Sequence, residues 1–280
     1  MLIFTKIADL QGFLKPIKKL NQSLGFVPTM GALHTGHISL INASTKICDV
    51  TICSIFVNPT QFNDQKDLER YPRMPEKDTA LLEKTGCDVL FLPSVEEIYP
   101  NNLVKDTFDF GYLNAVLEGS HRPGHFNGVA QVVKRLFDIV TPDKAFFGSK
   151  DYQQVMIVKA LVKQLNSPIE IIACPILREP DGLAMSSRNA LLNNEERLVA
   201  GMVPKIMQTA KEIVINKGIY EAKKFVANEV AKVSSMKLDY FEICDETLTN
   251  ISELNTNKIN IALIAVFVGK IRLIDNLVIL

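Results

Sequence analysis

Up to Pro175 the chain alternates short apolar runs with longer amphipathic stretches, and no other feature limits its fold as much. Leu24–Val27, Val50–Val57, Asp88–Leu92, Lys144–Phe147 and Ile169–Ala173 have the length and apolar content of buried strands. Between them, Ile38–Ile47, Glu76–Thr85, Val129–Val140 and Tyr152–Leu165 read as helices. In the last of these, Val155, Val158, Leu161, Val162 and Leu165 fall on one face at helical spacing. Strands that alternate with helices build βαβ units and a parallel sheet, so an α/β domain is expected. Past Pro175 the order changes. Helical stretches at Asn194–Lys217 and Tyr220–Ala231 precede strand-like segments at Leu238–Cys244, Ile259–Val268 and Ile271–Leu273. The expected organisation is a large domain over residues 1–176 and a smaller α+β domain over 177–280.

Composition removes several function classes. Basic and acidic side chains balance at 31 each, which leaves no general basic field for a nucleic acid. The N-terminal stretch MLIFTKIADLQGFLKPIKK has no apolar core of signal-peptide length. The longest apolar run, Ile261 to Val268, is too short to cross a bilayer. Five cysteines are scattered through apolar runs without a CxxC pair, which reads as buried free thiols in a reducing cytoplasm.

Two of the four histidines stand in Met30-Gly31-Ala32-Leu33-His34-Thr35-Gly36-His37, between an expected strand and an expected helix. Ligands of open parallel sheets bind at the carboxyl ends of strands, where helix N-termini offer unpaired N–H groups. His34 and His37 share one face of a helical turn, and Gly31 and Gly36 let backbone approach a bulky anion. Three readings stand: phosphate contact, a metal pair and a structural pair. A metal needs a third ligand that this stretch lacks, so phosphate contact leads.

Four other segments carry polar chemistry in loops. Ser186, Ser187 and Arg188, in DGLAMSSRN, offer hydroxyls and a guanidinium to phosphate oxygens, or a helix cap. Gly148, Ser149, Lys150 and Asp151 follow a strand, where Lys150 can act as a point charge and Asp151 can cap or hold a hydroxyl. Gly119 to Phe126 holds His121 and His125 beside Arg122, an active-site wall or a plain surface turn. FVNPTQF places Asn58 and Gln61 between aromatic rings, suited to a small polar substrate, and Gln153-Gln154 repeats the amide theme.

Together VPTMGALHTGH, FVNPTQF, YPR, RPGHFNGVAQVVKRLF, FGSKDYQQ and DGLAMSSRN, in that order and spacing, resemble the pantothenate synthetase family. The resemblance runs through most of the first domain. The tail, with Arg272-Leu273-Ile274-Asp275-Asn276, fits less specifically. It implies a doubly wound, Rossmann-like parallel-sheet fold of nucleotidyltransferase type with an HxGH motif, and ATP-dependent condensation of pantoate with β-alanine through a pantoyl adenylate. It implies that Met30, Gly31, Ala32, Leu33, His34, Thr35, Gly36 and His37 lie on ATP, with His37 a proton donor in such families. Gly148, Ser149, Lys150 and Asp151 would take ATP, with Leu177 on the adenine side. Met185, Ser186, Ser187 and Arg188 would close over the triphosphate, and Gln61 and Gln154 would hold pantoate, with Asn58 beside them. It also implies Mg²⁺ and a homodimer. No protein ligand for the ion is readable, Asp78 being a weak candidate, and the insert Asn63–Lys66 departs from the pattern.

The chemistry stands without the resemblance. A carboxylate already is a nucleophile towards the α-phosphate, so the demand is to neutralise phosphate charge and hold groups in line. Histidines, Lys150, Ser186, Ser187, Arg188 and helix N-termini meet it. A mixed anhydride hydrolyses readily, which gives the second domain work as a lid. The rival activity, adenylyl transfer to a phosphorylated acceptor, asks for several Lys or Arg where FVNPTQF and DYQQ offer amides.

Overall fold

The computed structural model describes residues 1–62, 65–100 and 106–280. Two compact units are present: Met1–Ser149 with Gln153–Pro175, and Lys150–Tyr152 with Ile176–Leu280. The first holds a six-stranded, all-parallel sheet of β1 (Leu2–Phe4), β2 (Leu24–Thr29), β3 (Val50–Ile55), β4 (Val89–Phe91), β5 (Lys144–Gly148) and β6 (Glu170–Cys174) in the order β1-β4-β3-β2-β5-β6. The chain winds outward from β2 through β3 to β4, then returns to place β5 on the other side of β2, with Gly25 opposite Lys144. That reversal is the topological switch point of a doubly wound sheet, and folds of this kind bind ligands at such a point, here at the carboxyl ends of β2 and β5.

Strand alternation explains why helices cover both faces. Leu24 and Phe26 join one buried cluster with Ile52, Val89, Phe91, Leu10 and Leu14, and the helix His125–Val140 adds Val129, Val133, Leu136 and Phe137 to it. Val27, Cys53, Leu90 and Phe146 point the other way, onto Leu40 and Ile41 of the helix Thr35–Thr45 and Leu82 of the helix Pro75–Leu82. Gly128 is where the helix His125–Val140 comes closest to the chain after β3. A Cβ there would lie 2.4 Å from the Thr60 carbonyl oxygen, so only glycine allows the approach.

The second unit carries an antiparallel sheet, β7 (Met236–Asp245), β8 (Asn260–Val268) and β9 (Ile271–Val278), with β8 central. Helices Val203–Lys217 and Ile219–Ala231 bury Ile206, Met207, Ala210, Val226 and Val230 against Ile243, Ile264 and Val266. The expected helix Asn194–Lys217 is two, Asn194–Ala200 and Val203–Lys217, parted at Gly201 and Met202 where Pro204 opens the second. The strand expected at Ile271–Leu273 runs on to Val278 through buried Asp275 and Asn276, which interrupt its apolar pattern.

Several elements were not among those expected: β1 and the helix Ile7–Lys19, together with the short helices Gln65–Arg70, Val95–Ile98 and Leu117–His121. β1 is three residues long and pairs at the edge, Leu2 opposite Val89, so it shows no alternation to read. The helix Ile7–Lys19 contains Pro16, which reads as a breaker, yet Leu10 and Leu14 are buried. All five thiols are free, and four of them, Cys53, Cys87, Cys174 and Cys244, are buried. Burial pushes the Cys87 thiol up to about 11 and the Cys244 thiol to about 12. No described helix is long and apolar enough to cross a membrane.

Candidate active site

The loop after β2 is held in a conformation that most residues avoid. Gly31 has φ +79° and Ala32 φ +50°, both left-handed. The Asp78 carboxylate fixes them: it accepts the Ala32 N–H at 2.8 Å and the Leu33 N–H at 2.7 Å, and Thr29 Oγ1 accepts the Gly31 N–H at 3.2 Å. Asp78 is 1% exposed. A Cβ on Gly31 would come within 3.0 Å of Asp78 Oδ2, so glycine serves both the φ and the anchor. The weak idea of Asp78 as a metal ligand is thereby revised, because its two oxygens are spent on backbone amides. Among the described residues no group of three or more His, Cys, Asp or Glu is gathered to hold an ion.

His34 and His37 then open the helix Thr35–Thr45 as its cap. His34 Nδ1 accepts the Gly36 N–H at 3.1 Å, and His37 Nδ1 accepts the His34 N–H at 3.3 Å. Two imidazoles thus fill the places that Ser and Glu take in an ordinary capping box. The ring centroids lie 4.1 Å apart. An accepting Nδ1 carries no hydrogen, so each neutral ring bears its proton on Nε2 as a donor. The structural pair and the phosphate reading are therefore compatible, since the cap orients two N–H donors at a helix N-terminus.

Gln61 forms the neighbouring wall of the same unit. It sits in the 3₁₀ turn Pro59–Gln61 directly after β3 and is 8% exposed. Its Nε2 lies 3.0 Å from Met30 Sδ, and its Oε1 accepts from Asn58 Nδ2 at 3.1 Å. Asn58 is 1% exposed and spends its carboxamide inside the protein. Its Nδ2 also donates to the Gly128 carbonyl at 3.0 Å, and its Oδ1 accepts the Tyr99 hydroxyl at 2.9 Å and the Thr60 hydroxyl at 3.0 Å. In this structure Asn58 braces Gln61. Burial pushes the Tyr99 phenol up, which keeps it a donor.

The histidine-rich segment before the helix His125–Val140 reaches this wall. His125, buried, donates from Nδ1 to the Gln61 carbonyl at 2.7 Å and accepts Arg122 Nη1 at Nε2, 3.2 Å away. The tautomer follows because guanidinium only donates. Arg122 faces a hollow of about 300 Å³ lined also by Asn114, Ser120, Phe126 and Asn127. His121 is exposed. Gln153 is structural: it donates to the Leu113 and Val116 carbonyls at 2.7 and 2.9 Å and accepts the Glu118 N–H at 3.0 Å. Gln154, next in sequence, is half-buried. Of the departing insert, Asn63 and Asp64 lie outside the described residues, and Gln65 and Lys66 begin a helix.

In the second unit, Lys150 Nζ stands 3.8 Å from Asp151 Oδ1, and its side chain is 16% exposed. Leu177 begins a short hairpin, its carbonyl accepting the Met185 N–H at 3.0 Å. Ser186 caps the 3₁₀ turn Ser187–Leu191 by accepting the Arg188 N–H at 3.2 Å. Asn189 Nδ2 donates back to the Ala184 carbonyl at 3.1 Å. Sequence reasoning missed Asp78 as the loop's anchor. Its only signal was an acidic residue in a helix's first turn, which says nothing of amides 45 residues earlier.

The family model described as pantoate-beta-alanine ligase matches residues 2–278. A pantothenate synthetase of Porphyromonas gingivalis is 45% identical over 278 residues, 99% of each chain. One of Bacteroides fragilis is 46% identical over 280 residues, covering 99% of this chain and 98% of that one. The crystal structure of pantothenate synthetase from Thermus thermophilus superposes with a TM-score of 0.92 at 39% identity, over 100% of this chain and 99% of the other. A pantoate-beta-alanine ligase from Francisella tularensis, complexed with beta-gamma ATP and beta-alanine, superposes at 0.85 and 38% identity, over 100% and 98%.

Proposed function

From the premise that the chain belongs to the pantoate-beta-alanine ligase family, we propose how its residues divide the reaction. It is a ligase of pantothenate biosynthesis that uses ATP as co-substrate. The proposed first step joins a pantoate carboxylate oxygen to the α-phosphorus of ATP and expels pyrophosphate. In the second, the neutral amine of β-alanine attacks the acyl carbon and AMP leaves.

One observation carries the assignment: the double-histidine cap and Gln61 lie in one wall, joined through Met30. Two Nε2–H donors at a helix N-terminus suit phosphate oxygens whose charge shifts in the transition state. In this reading His34 and His37 act first as charge stabilisers, with His37 the proton donor if a proton moves. Met30 to His37 and Gly148 to Asp151 take ATP, Lys150 at the phosphates, Asp151 at the ribose and Leu177 on the adenine side. Ser186, Ser187 and Arg188 neutralise the departing pyrophosphate, with Met185 beside them. Gln61, braced by Asn58 and linked to Arg122 through His125, holds pantoate with Gln154. Residues 1–176 would bind ATP and pantoate, and 177–280 would act as lid.

Mg²⁺ enters as an ion carried on the ATP phosphates. An ion carried in this way would keep much of its water and need no cage of protein ligands. When bound it would screen phosphate charge. A cytoplasmic homodimer completes the reading, and sedimentation tests the oligomer.

Adenylyl transfer to a phosphorylated acceptor is not favoured, because Gln61 and Gln154 offer amides where such an acceptor needs cations. The deciding experiment supplies ATP, Mg²⁺ and pantoate without β-alanine. Pyrophosphate release and exchange of labelled pyrophosphate into ATP are expected, and AMP should appear once β-alanine is added. ADP as product would mean an acyl-phosphate route and would end this reading.

A further inference from the structure

The run Arg272-Leu273-Ile274-Asp275-Asn276 is part of the family resemblance, yet no step above uses it. It lies in β9, where Asp275 is 4% exposed and Asn276 6%. A buried polar pair within an apolar strand is costly unless its groups find partners. Asp275 takes Arg178 in a two-pronged contact, Nη1 to Oδ2 at 2.7 Å and Nη2 to Oδ1 at 3.0 Å. Its Oδ1 also accepts the Asn276 N–H at 2.7 Å. Arg178 spends further N–H groups on the Gly182 carbonyl at 3.0 Å and the Asn276 carbonyl at 3.1 Å. Asn276 Nδ2 donates to the Lys150 carbonyl at 2.9 Å. All of these residues belong to the second unit.

We propose that Asp275 and Asn276 are the positioning residues of the phosphate side of the site: Asp275 through Arg178 sets the hairpin that ends in Met185–Arg188, and Asn276 through the Lys150 carbonyl sets Lys150. The proposal rests on the reading of those segments as ATP-binding.

The hairpin is short, with Leu183 and Ala184 buried and Leu177, Pro180 and Asp181 exposed, and few bonds set its shape. Met185 N–H meets the Leu177 carbonyl at 3.0 Å, Glu179 N–H meets the Leu183 carbonyl at 2.8 Å, and Gly182 closes the tip with φ +92°. The Arg178 guanidinium ties that tip to β9, and the buried Asp275 carboxylate, together with the Gly182 and Asn276 carbonyls, fixes the plane of the guanidinium. Adjacent residues of a strand point to opposite faces, so one dipeptide reaches two separate segments. Groups that must meet a triphosphate need positions held to a fraction of an ångström, which a supporting layer of bonds supplies.

The test uses Asn276→Ala, Asp275→Asn, Lys150→Ala and the control Glu242→Gln. The control breaks an ion pair of the same sheet, Glu242 of β7 with Lys223 of the helix Ile219–Ala231. Each protein is measured for its ATP and pantoate KM, its pyrophosphate-exchange rate and its thermal midpoint. Expected is a rise of about tenfold in the ATP KM for Asn276→Ala and Asp275→Asn, with the pantoate KM unchanged within about twofold. The control should lose thermal stability only. If Lys150→Ala raises the ATP KM while Asn276→Ala and Asp275→Asn do not, the positioning role is refuted and the dipeptide is a structural brace. If Lys150→Ala changes neither ATP KM nor exchange, the phosphate assignment itself fails and takes this proposal with it. Should Asp275→Asn fail to fold, Asn276→Ala, which deletes the bond to the Lys150 carbonyl, decides alone.

Discussion

Replacing Asp78 tests whether the histidine loop is held or merely rests in place. The carboxylate meets two backbone N–H groups at 2.8 and 2.7 Å and is 1% exposed, so water does not substitute for it. Asp78→Asn keeps the volume and one acceptor but turns an N–H donor towards an N–H. A hydrogen bond to a charged group contributes about 1.5–3 kcal/mol, and an orphaned buried N–H costs about 1–3 kcal/mol. One lost bond therefore predicts about 2–3 kcal/mol for Asp78→Asn, and Asp78→Ala should cost about 3–5 kcal/mol. Part of that cost should appear as movement, because Ala32 sits at φ +50° against its own preference by about 1–2 kcal/mol and relaxes once released. Relaxation carries His34 with it, and a shift near 1 Å in a reacting group costs about 10²-fold. The assay pairs urea unfolding with pyrophosphate–ATP exchange. Loss of stability with a wild-type exchange rate would show that the loop keeps its shape without the carboxylate, and the reasoning would fail.

Three further outcomes follow from the same geometry. His34→Asn keeps an N-cap acceptor and removes the Nε2–H, so stability should hold within about 0.5 kcal/mol while exchange falls about 10²-fold; equal damage to both would make the ring purely structural. Gln154→Ala should raise the pantoate KM with little effect on folding, whereas Gln153→Ala should lower the thermal midpoint, since Gln153 makes three buried bonds to backbone; the reverse pattern would exchange their roles. The Ile7 N–H and then the Lys6 ammonium hold the Glu97 carboxyl below its ordinary value. Its contribution is complete above the unfolded carboxylate range and is lost as pH falls through the lowered folded value, so Glu97→Gln should flatten the acid limb of a urea-midpoint profile between about pH 5 and pH 3; an unchanged slope would remove Glu97 from the acid response.

Strands β2 to β5 were legible because burial on both faces leaves unbroken apolar runs such as Phe26-Val27 and Phe146-Phe147; β6, at the sheet edge and only partly buried, showed through Ile171-Ile172. β1 was not, since three edge residues carry no period, and Pro16 concealed the first helix although a proline can sit inside one when packing compensates. The histidine pair was visible as a pair. Its capping role was half-visible, because the three-residue interval is that of a capping box but the residue types are not. The protein partners of Asn58 were not legible, because a polar side chain beside aromatic rings has the same appearance whether its partners are substrate or protein. Asp78, Arg178 and Asp275 act on segments distant in sequence, and local pattern holds no record of such pairings.

The sunken thiols have a practical consequence. Alkylating reagents attack the thiolate, and at pH 8 a thiol near 12, as at Cys244, is ionised in roughly one molecule in 10⁴. The folded protein is therefore close to inert at that residue, and modification marks molecules caught open. Cys53 and Cys87 lie in the first unit and Cys244 in the second. Mass spectrometry after timed labelling would then read the opening of each unit separately, without an introduced probe, and a nucleotide that steadies one unit more than the other would slow one signal and spare its counterpart.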